Sequence, residues 1–323
     1  GEDAKVRFPK ELEFINNYDL ATGRSNYKKA VASSADLIIA FGPANNVVLS
    51  EQKRYRKPTI LFGAVNRDLL KFDVNKESSG IKNFTYFVES QSYEDDLREL
   101  HQLFRFKRVG LVIDEGVAKI TNFDRVFRPI LKKIGADYKL ISFESVADIE
   151  VGLEGVDAIY MVGGFFLNDD EVRKLAKTFI DKKLPTFTTS GVDDVQLGML
   201  ATHQGEDDIE QVFRRIALTV EACVNGRSLA ELPVFIDYHA NLTINYNTAE
   251  LLNIPIRNSL LSTADFVGEF KNVKSKRQYT LLDLMREAIS RNLALATAAQ
   301  SVASARQDRR AAKSDYLPSL SIS

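Results

Sequence analysis

Tryptophan is absent and cysteine occurs once, as Cys223, in a chain of 323 residues. A single thiol cannot close an internal disulfide, so the fold has to be held by its core. The compartment stays open on this count, because exported bacterial proteins also do without disulfides. Cys223 sits in a helical pattern and reads as a small buried apolar residue rather than a nucleophile. The three histidines, His101, His203 and His239, are scattered and lack metal-ligand spacing. They read as surface or structural side chains, and no metal is expected. The formal net charge is -1, and no dense basic patch with interleaved aromatics is present. Nucleic acid is therefore not an expected partner. No apolar run approaches the roughly 20 residues of a membrane helix. Gly1-Glu2-Asp3-Ala4-Lys5 does not read as a signal peptide. Catalytic motifs are missing too. There is no Walker loop and no Gly-x-Ser-x-Gly elbow, and Gly163-Gly164 lacks the third glycine of a dinucleotide fingerprint. No cofactor is expected.

What is present is an ordinary globular composition, 45% hydrophobic and 27% charged, in a chain long enough for two domains. One strand-and-loop unit occurs twice. In the first copy, Asp36 opens an apolar run that Gly42 closes, and Pro58-Thr59 starts a second run ending at Val65-Asn66. In the second copy, Asp157 and Gly163 bound the first run, and Pro185-Thr186 starts a second ending at Val192-Asp193. Continuous apolar runs bounded by Gly and Pro read as strands buried on both faces of a parallel sheet. Small residues just past them leave room for a ligand at the carboxyl edge. The fold class that follows is α/β, with two doubly wound lobes facing each other across a cleft.

The rest of the chain alternates strand and helix patterns. Lys5 to Phe8 reads as a short strand and Asn26 to Ala32 as a helix. Gly42 to Asn46 reads as a loop of small and amide residues followed by a helix over Val47 to Arg56. Pro43 would suit a helix's first turn, and a helix start there has free N–H groups that could seat an anion. Ile81 to Val88, Arg108 to Asp114, Tyr138 to Phe143, Leu232 to Tyr238 and Asn241 to Tyr246 read as strands. Helices are expected over Tyr93–Phe104, Asn122–Ile134, Asp169–Lys182, Asp207–Val224 and Thr248–Leu252, with Gly135 as a C′ residue. These segments suggest one lobe from residues 1–88 with 203–230 and a second from 89–202 with 231–270. A basic linker follows at 271–279. Residues 281–313 contain no Gly or Pro and read as helix, with Asn292 as a break. Tyr316 to Ser323 begins an alternating strand.

Several stretches resemble known families. Asp36–Ala44 (DLIIAFGPA), Pro58–Asp68 (PTILFGAVNRD), Asp157–Val162 (DAIYMV), Pro185–Gly191 (PTFTTSG) and Leu232–Ala264 fall in the order seen in ABC-transporter substrate-binding proteins. The resemblance is to the type that binds aromatic amino acids. It covers roughly residues 20–270 and implies a two-lobed periplasmic binding fold that closes on a small solute. Thr280 to Ser323 resembles the opening of a TolC-like outer-membrane efflux channel, with Asn292-Leu293 where that family often has Asn-Pro. The joint resemblance implies a fusion: a periplasmic solute-binding domain attached to a trimeric channel in the outer membrane of a Gram-negative bacterium, with other efflux components as partners.

The leading reading is a binding or sensor module for an amino acid or peptide-like compound. Its cleft would be lined by Gly42, Pro43, Ala44, Asn45, Val65, Asn66, Asp114, Glu115, Gly116, Gly163, Gly164, Phe165, Ser190, Gly191, Val192 and Asp193. Phe165 could stack on the ligand or serve as cleft wall, and Asp193 stands out as a carboxylate at a strand end. The alternative is a ligand-free docking scaffold for an efflux assembly. An enzyme is the weakest reading, because no nucleophile can be paired with a base; none is expected.

Overall fold

The structure is a computed structural model that describes residues 6–63, 66–89, 92–205, 208–236, 241–268 and 293–314. The chain forms two compact units, Gly1–Phe270 and Lys271–Ser323. The first unit opens with α1 (Leu20–Ala32), β1 (Ile38–Phe41), α2 (Pro43–Ser50), β2 (Thr59–Phe62) and β3 (Phe84–Tyr86). The three strands lie side by side in sequence order, all parallel. After Val88 the chain crosses to a larger sheet through α3 (Tyr93–Leu103), β4 (Arg108–Asp114), α4 (Glu115–Ile120), α5 (Phe123–Lys133) and β5 (Asp137–Phe143). It continues with α6 (Val146–Gly152), β6 (Ala158–Met161), α7 (Asp169–Asp181), β7 (Thr186–Thr188), α8 (Val192–Gln196) and β8 (Ala201–Thr202). Then α9 (Asp208–Val224) returns to the small sheet, and β9 (Thr243–Asn245), α10 (Tyr246–Leu251) and β10 (Asp265–Val267) go back to the large one. The large sheet has the order β10-β9-β8-β7-β6-β4-β5. Its pairs are parallel except β8 with β9.

The internal duplication is a duplication of register. Ile38 pairs with Thr59 in the first copy, and Ile159 with Thr186 in the second. Each of these isoleucines donates its N–H to the carbonyl of the equivalent proline, Pro58 or Pro185, at 2.8 Å. Both faces of each sheet are covered, as continuous apolar strands require. On the large sheet Leu111, Ile113, Tyr160 and Val162 pack with Leu97, Leu100 and Phe127 of α3 and α5. Val112, Ile159 and Met161 point the other way, against Ile149, Leu175 and Phe179 of α6 and α7. On the small sheet Ala40, Leu61, Phe84 and Tyr86 form one core. Ile60 and Phe87 form the other with Ile216 and Val220 of α9. Side chains alternate between faces because the strand repeat is two residues.

Helix boundaries follow local chemistry. Asp19 caps α1 by accepting the Thr22 N–H at 2.6 Å. Asn168 and Glu171 form a capping box at the start of α7. Gly135, at φ 71°, follows the last turn of α5 as expected.

Three expectations give way to packing. Val6–Phe8 form no strand, because two apolar residues before Pro9 find no ladder to join. The helix after β1 starts earlier and stops sooner than its pattern suggests, with Pro43 as its first residue. Residues 231–236, assigned to the second lobe from the sequence, pack on the small sheet. There Val88 donates its N–H to the Val234 carbonyl at 2.8 Å, and Ile236 donates to the Val88 carbonyl at 3.1 Å. Leu232, Val234 and Ile236 alternate as a buried segment should, but alternation does not say which sheet buries them. Instead of a full strand, Pro233 and Phe235 form isolated bridges to Ser78 and Val88. In the second unit, α11 (Leu293–Ser314) is a 22-residue helix. The linker at 271–279, the break at Asn292 and the Tyr316–Ser323 strand lie outside the described residues. No helix among the described residues is long and apolar enough to cross a membrane.

Leu97 is fully buried between α3 and the large sheet. Truncation in such a site loses burial and leaves a cavity, so Leu97→Ala should cost about 2–5 kcal/mol. Urea unfolding measures this, and a change below about 1 kcal/mol would contradict the packing described.

Candidate functional site

In both sheets the parallel strands end at one edge, and helices begin there. At the end of β1, Gly42 adopts φ 93° and caps α2, a backbone state that side chains rarely tolerate. Its N–H donates to the Phe62 carbonyl at 3.0 Å. Pro43 and Ala44 are buried in the first turn. Asn45 turns back, its Nδ2 donating to the Phe41 carbonyl at 2.8 Å. At the end of β2, Asn66 is buried and caps a 3₁₀ turn by accepting the Asp68 N–H at 3.0 Å. Val65 lies outside the described residues. The Phe41 and Phe62 rings stack at a tilt, 5.0 Å apart, and Phe41 is 65% exposed.

The large sheet presents a matching edge. Asp114 ends β4 and accepts the Gly164 N–H at 3.2 Å, while Glu115 and Gly116 start α4. Gly163 and Gly164 are buried in the turn after β6, and Gly163 donates to the Val112 carbonyl. Phe165 and Phe166 follow, 49% and 75% exposed. Thr189, Ser190 and Gly191 connect β7 to α8, which Val192 opens. Ser190 donates its N–H to Thr188 Oγ1 at 3.1 Å. Of the carboxylates that open α8, Asp193 is exposed. It is Asp194 that turns inward, accepting a bond from Thr188 Oγ1 at 2.7 Å.

The two edges face each other. α2 of the small sheet touches α4 of the large one. Asp68 Oδ2 accepts the Tyr93 N–H at 2.8 Å, tying the turn after β2 to the start of α3. Tyr18, just before α1, packs on the core of the large sheet. A cavity of about 570 Å³ opens beside it, lined by Asn17, Tyr18, Asp19, Leu20, Glu115, Gly116, Lys119, Ile120 and Glu144. A larger one, about 760 Å³, lies between residues 6–16, α1, the free edge of β1 and the end of α9. Of the site residues expected from sequence, only Asn45 lines it.

Burial raises the Asp114 and Asp194 carboxyls above the ordinary carboxylate range. Glu115 and Glu144 share a hydrogen bond that lowers the first and raises the second. One buried polar cluster lies outside the residues expected from the sequence. Asp96, 3% exposed on α3, accepts the Tyr160 hydroxyl at 2.6 Å and lies 2.7 Å from His203 Nδ1. A tyrosine inside an otherwise apolar buried strand was the available signal, since its hydroxyl must find a partner. Among the described residues no group of three His, Cys, Asp or Glu could hold a metal ion.

Two α/β lobes with facing strand ends and repeated crossings between them define the architecture of two-lobed periplasmic binding proteins. Solved structures share it. A conserved domain protein from Vibrio cholerae matches with TM-score 0.60 and 19% identity, over 77% of this chain and 84% of that one. The ABC domain from Streptococcus pneumonia, solved in complex with L-Trp, matches with TM-score 0.57 and 19% identity, over 77% and 86%. At that identity the likeness concerns the fold. No protein-family model and no curated protein matches the sequence.

A raised carboxyl pKa makes the folded state hold a proton that the unfolded state releases. The stability this contributes is present below the unfolded value of about 3.9 and is lost as pH rises through the folded value. Asp194→Asn removes that dependence and keeps an acceptor for Thr188. The stability of wild type relative to Asp194→Asn should therefore fall as pH rises from about 4 toward 7. Urea titrations at several pH values measure it, and parallel curves would contradict the burial of this carboxyl.

Proposed function

We propose that the Gly1–Phe270 unit is a solute-binding or sensor domain that holds a small molecule between its lobes without chemistry. The observation that carries this is the exposed phenylalanines at the strand ends of both lobes: Phe41 on one side, Phe165 and Phe166 on the other. Exposed aromatic surface at facing strand ends is a place for a ligand to bury it. The start of α2 offers backbone N–H groups to a carboxylate, and Asp114 offers a counter-charge to an ammonium group. An amino acid or a peptide-like compound with an apolar or aromatic side chain suits that combination. The neighbour solved with L-Trp supports the ligand class by analogy of fold. Closure would select the bound state through contacts made by both lobes at once. Gly42–Asn45, Asn66, Asp114–Gly116, Gly163–Phe165 and Ser190–Asp193 are the proposed lining, together with Val65.

The sequence of residues 280–323 extends this proposal. Its resemblance to a TolC-like channel supports a periplasmic domain fused to a trimeric efflux protein of the outer membrane. A ligand-free docking scaffold is the second reading, and the Tyr18 side chain already lodged at the cleft favours it.

Native mass spectrometry and a thermal-shift panel of amino acids and small peptides separate the two. A true ligand at a hundredfold excess over its dissociation constant should stabilise the protein by about 2.7 kcal/mol. Phe165→Ala together with Phe41→Ala should weaken binding at least about tenfold if the rings bury ligand surface. A clean mass with no shift from any compound favours the scaffold.

A further inference from the structure

The short arm before α1 does something that the binding reading does not require. Asn17 and Tyr18 are consecutive non-glycine residues with left-handed backbone, φ 46° and 62°. Side chains seldom adopt that state, and a bulky ring least of all. The turn is held from both sides. Asn16 Oδ1 accepts the Tyr18 N–H at 3.0 Å, and the Asn16 carbonyl accepts the Asp19 N–H at 2.8 Å. Asn16 Nδ2 donates to Asn45 Oδ1 at 3.3 Å, which anchors the turn to α2. Asp19 then caps α1.

This turn aims the Tyr18 ring out of its own lobe. The ring lies on Gly116 at the start of α4, so close that a methyl group there would sit 2.4 Å from Tyr18 Cδ2. It joins the core of the large sheet, and burial, followed by the charge of Asp114, raises its phenol. Gly116 is thus a seat shaped for an aromatic ring, and the chain supplies the ring itself. Gly116 also belongs to the proposed ligand lining, so seat and ligand site overlap.

We propose that Tyr18 is a tethered aromatic occupant of the cleft, seated on Gly116, that bridges the lobes and competes with ligand for that seat. A ligand has to displace the ring, so Tyr18 sets a threshold on what the cleft admits. The ligand half of this proposal rests on the solute-binding reading; the seat itself does not.

Because the chain contains no tryptophan, Tyr18→Trp gives a single emission reporter. In the full chain its emission should be blue-shifted and shielded from acrylamide. Adding Gly116→Ala, or Gly116→Val for a larger obstruction, should shift it to the red and raise the quenching constant about twofold or more, as burial is lost. Asn16→Ala loosens the turn without touching the seat and should act in the same direction. Circular dichroism confirms that each variant is folded. Emission unchanged by all three substitutions overturns the proposal. For the ligand half, L-tryptophan, L-tyrosine and L-phenylalanine are titrated against wild type and Tyr18→Ala. Removing a competitor that fills the seat nine-tenths of the time should tighten binding by about tenfold. Equal or weaker binding by Tyr18→Ala overturns the competition. A panel that binds neither protein overturns the solute-binding reading, while the fluorescence result still decides the seat.

Discussion

Parallel strands cannot be joined by tight turns, and the rest of the architecture depends on that constraint. Each strand has to be followed by a crossover that climbs back along the sheet, usually a helix. The strand ends and the helix starts are thereby collected at one edge. In this protein the constraint operates in both sheets. It brings Gly42 and Asn66 to one rim and Asp114, Gly163 and Ser190 to the other. It also explains why the strands are apolar on both faces, since helices cover them from either side. The cleft is a consequence of connectivity before it is a consequence of any particular side chain.

Within that frame, a few buried polar groups decide how the parts lock together. Asp96 ties α3 to β6 through Tyr160 and to the segment after β8 through His203. Removing one partner would leave a buried acceptor or donor unsatisfied, which costs more than the bond itself contributes. Asp68 carries out the same kind of tie between lobes by accepting a backbone N–H at the start of α3. Both ties sit close to places where the chain passes from one sheet to the other. Relative motion of the lobes would therefore act on them directly.

The cleft rim divides into groups that hold the fold and groups left exposed. Asn45 and Asn66 spend side-chain acceptors or donors on nearby backbone. Asp194 spends its carboxylate on Thr188. Phe41, Phe165 and Phe166 spend nothing of the kind and remain exposed. Tyr18 stands between these groups, being tied down by its backbone while its ring rests on Gly116 of the facing lobe.

The buried strands β1, β2, β6 and β7 were legible because apolar continuity, Gly and Pro are local signals. The two copies share the lengths of their runs but not of the segments between them, so their common pairing register is a finding of the sheets themselves. Helices such as α5, α7 and α9 were legible from periodicity and caps. The two-residue β8 and the edge strand β10 were not legible, because short strands exist only where a neighbour completes their hydrogen bonds, whereas β9 falls inside the strand expected over Asn241–Tyr246. The choice between Asp193 and Asp194, the sheet that buries residues 231–236 and the seat of Tyr18 on Gly116 share one cause. Each depends on which distant surface a side chain meets. Local sequence thus determined the longer strands and helices and the two-lobed class, because backbone geometry and amphipathicity are set within a few residues. Tertiary structure alone decided which polar groups are buried together and which rings stay exposed, because those contacts join residues far apart in the chain.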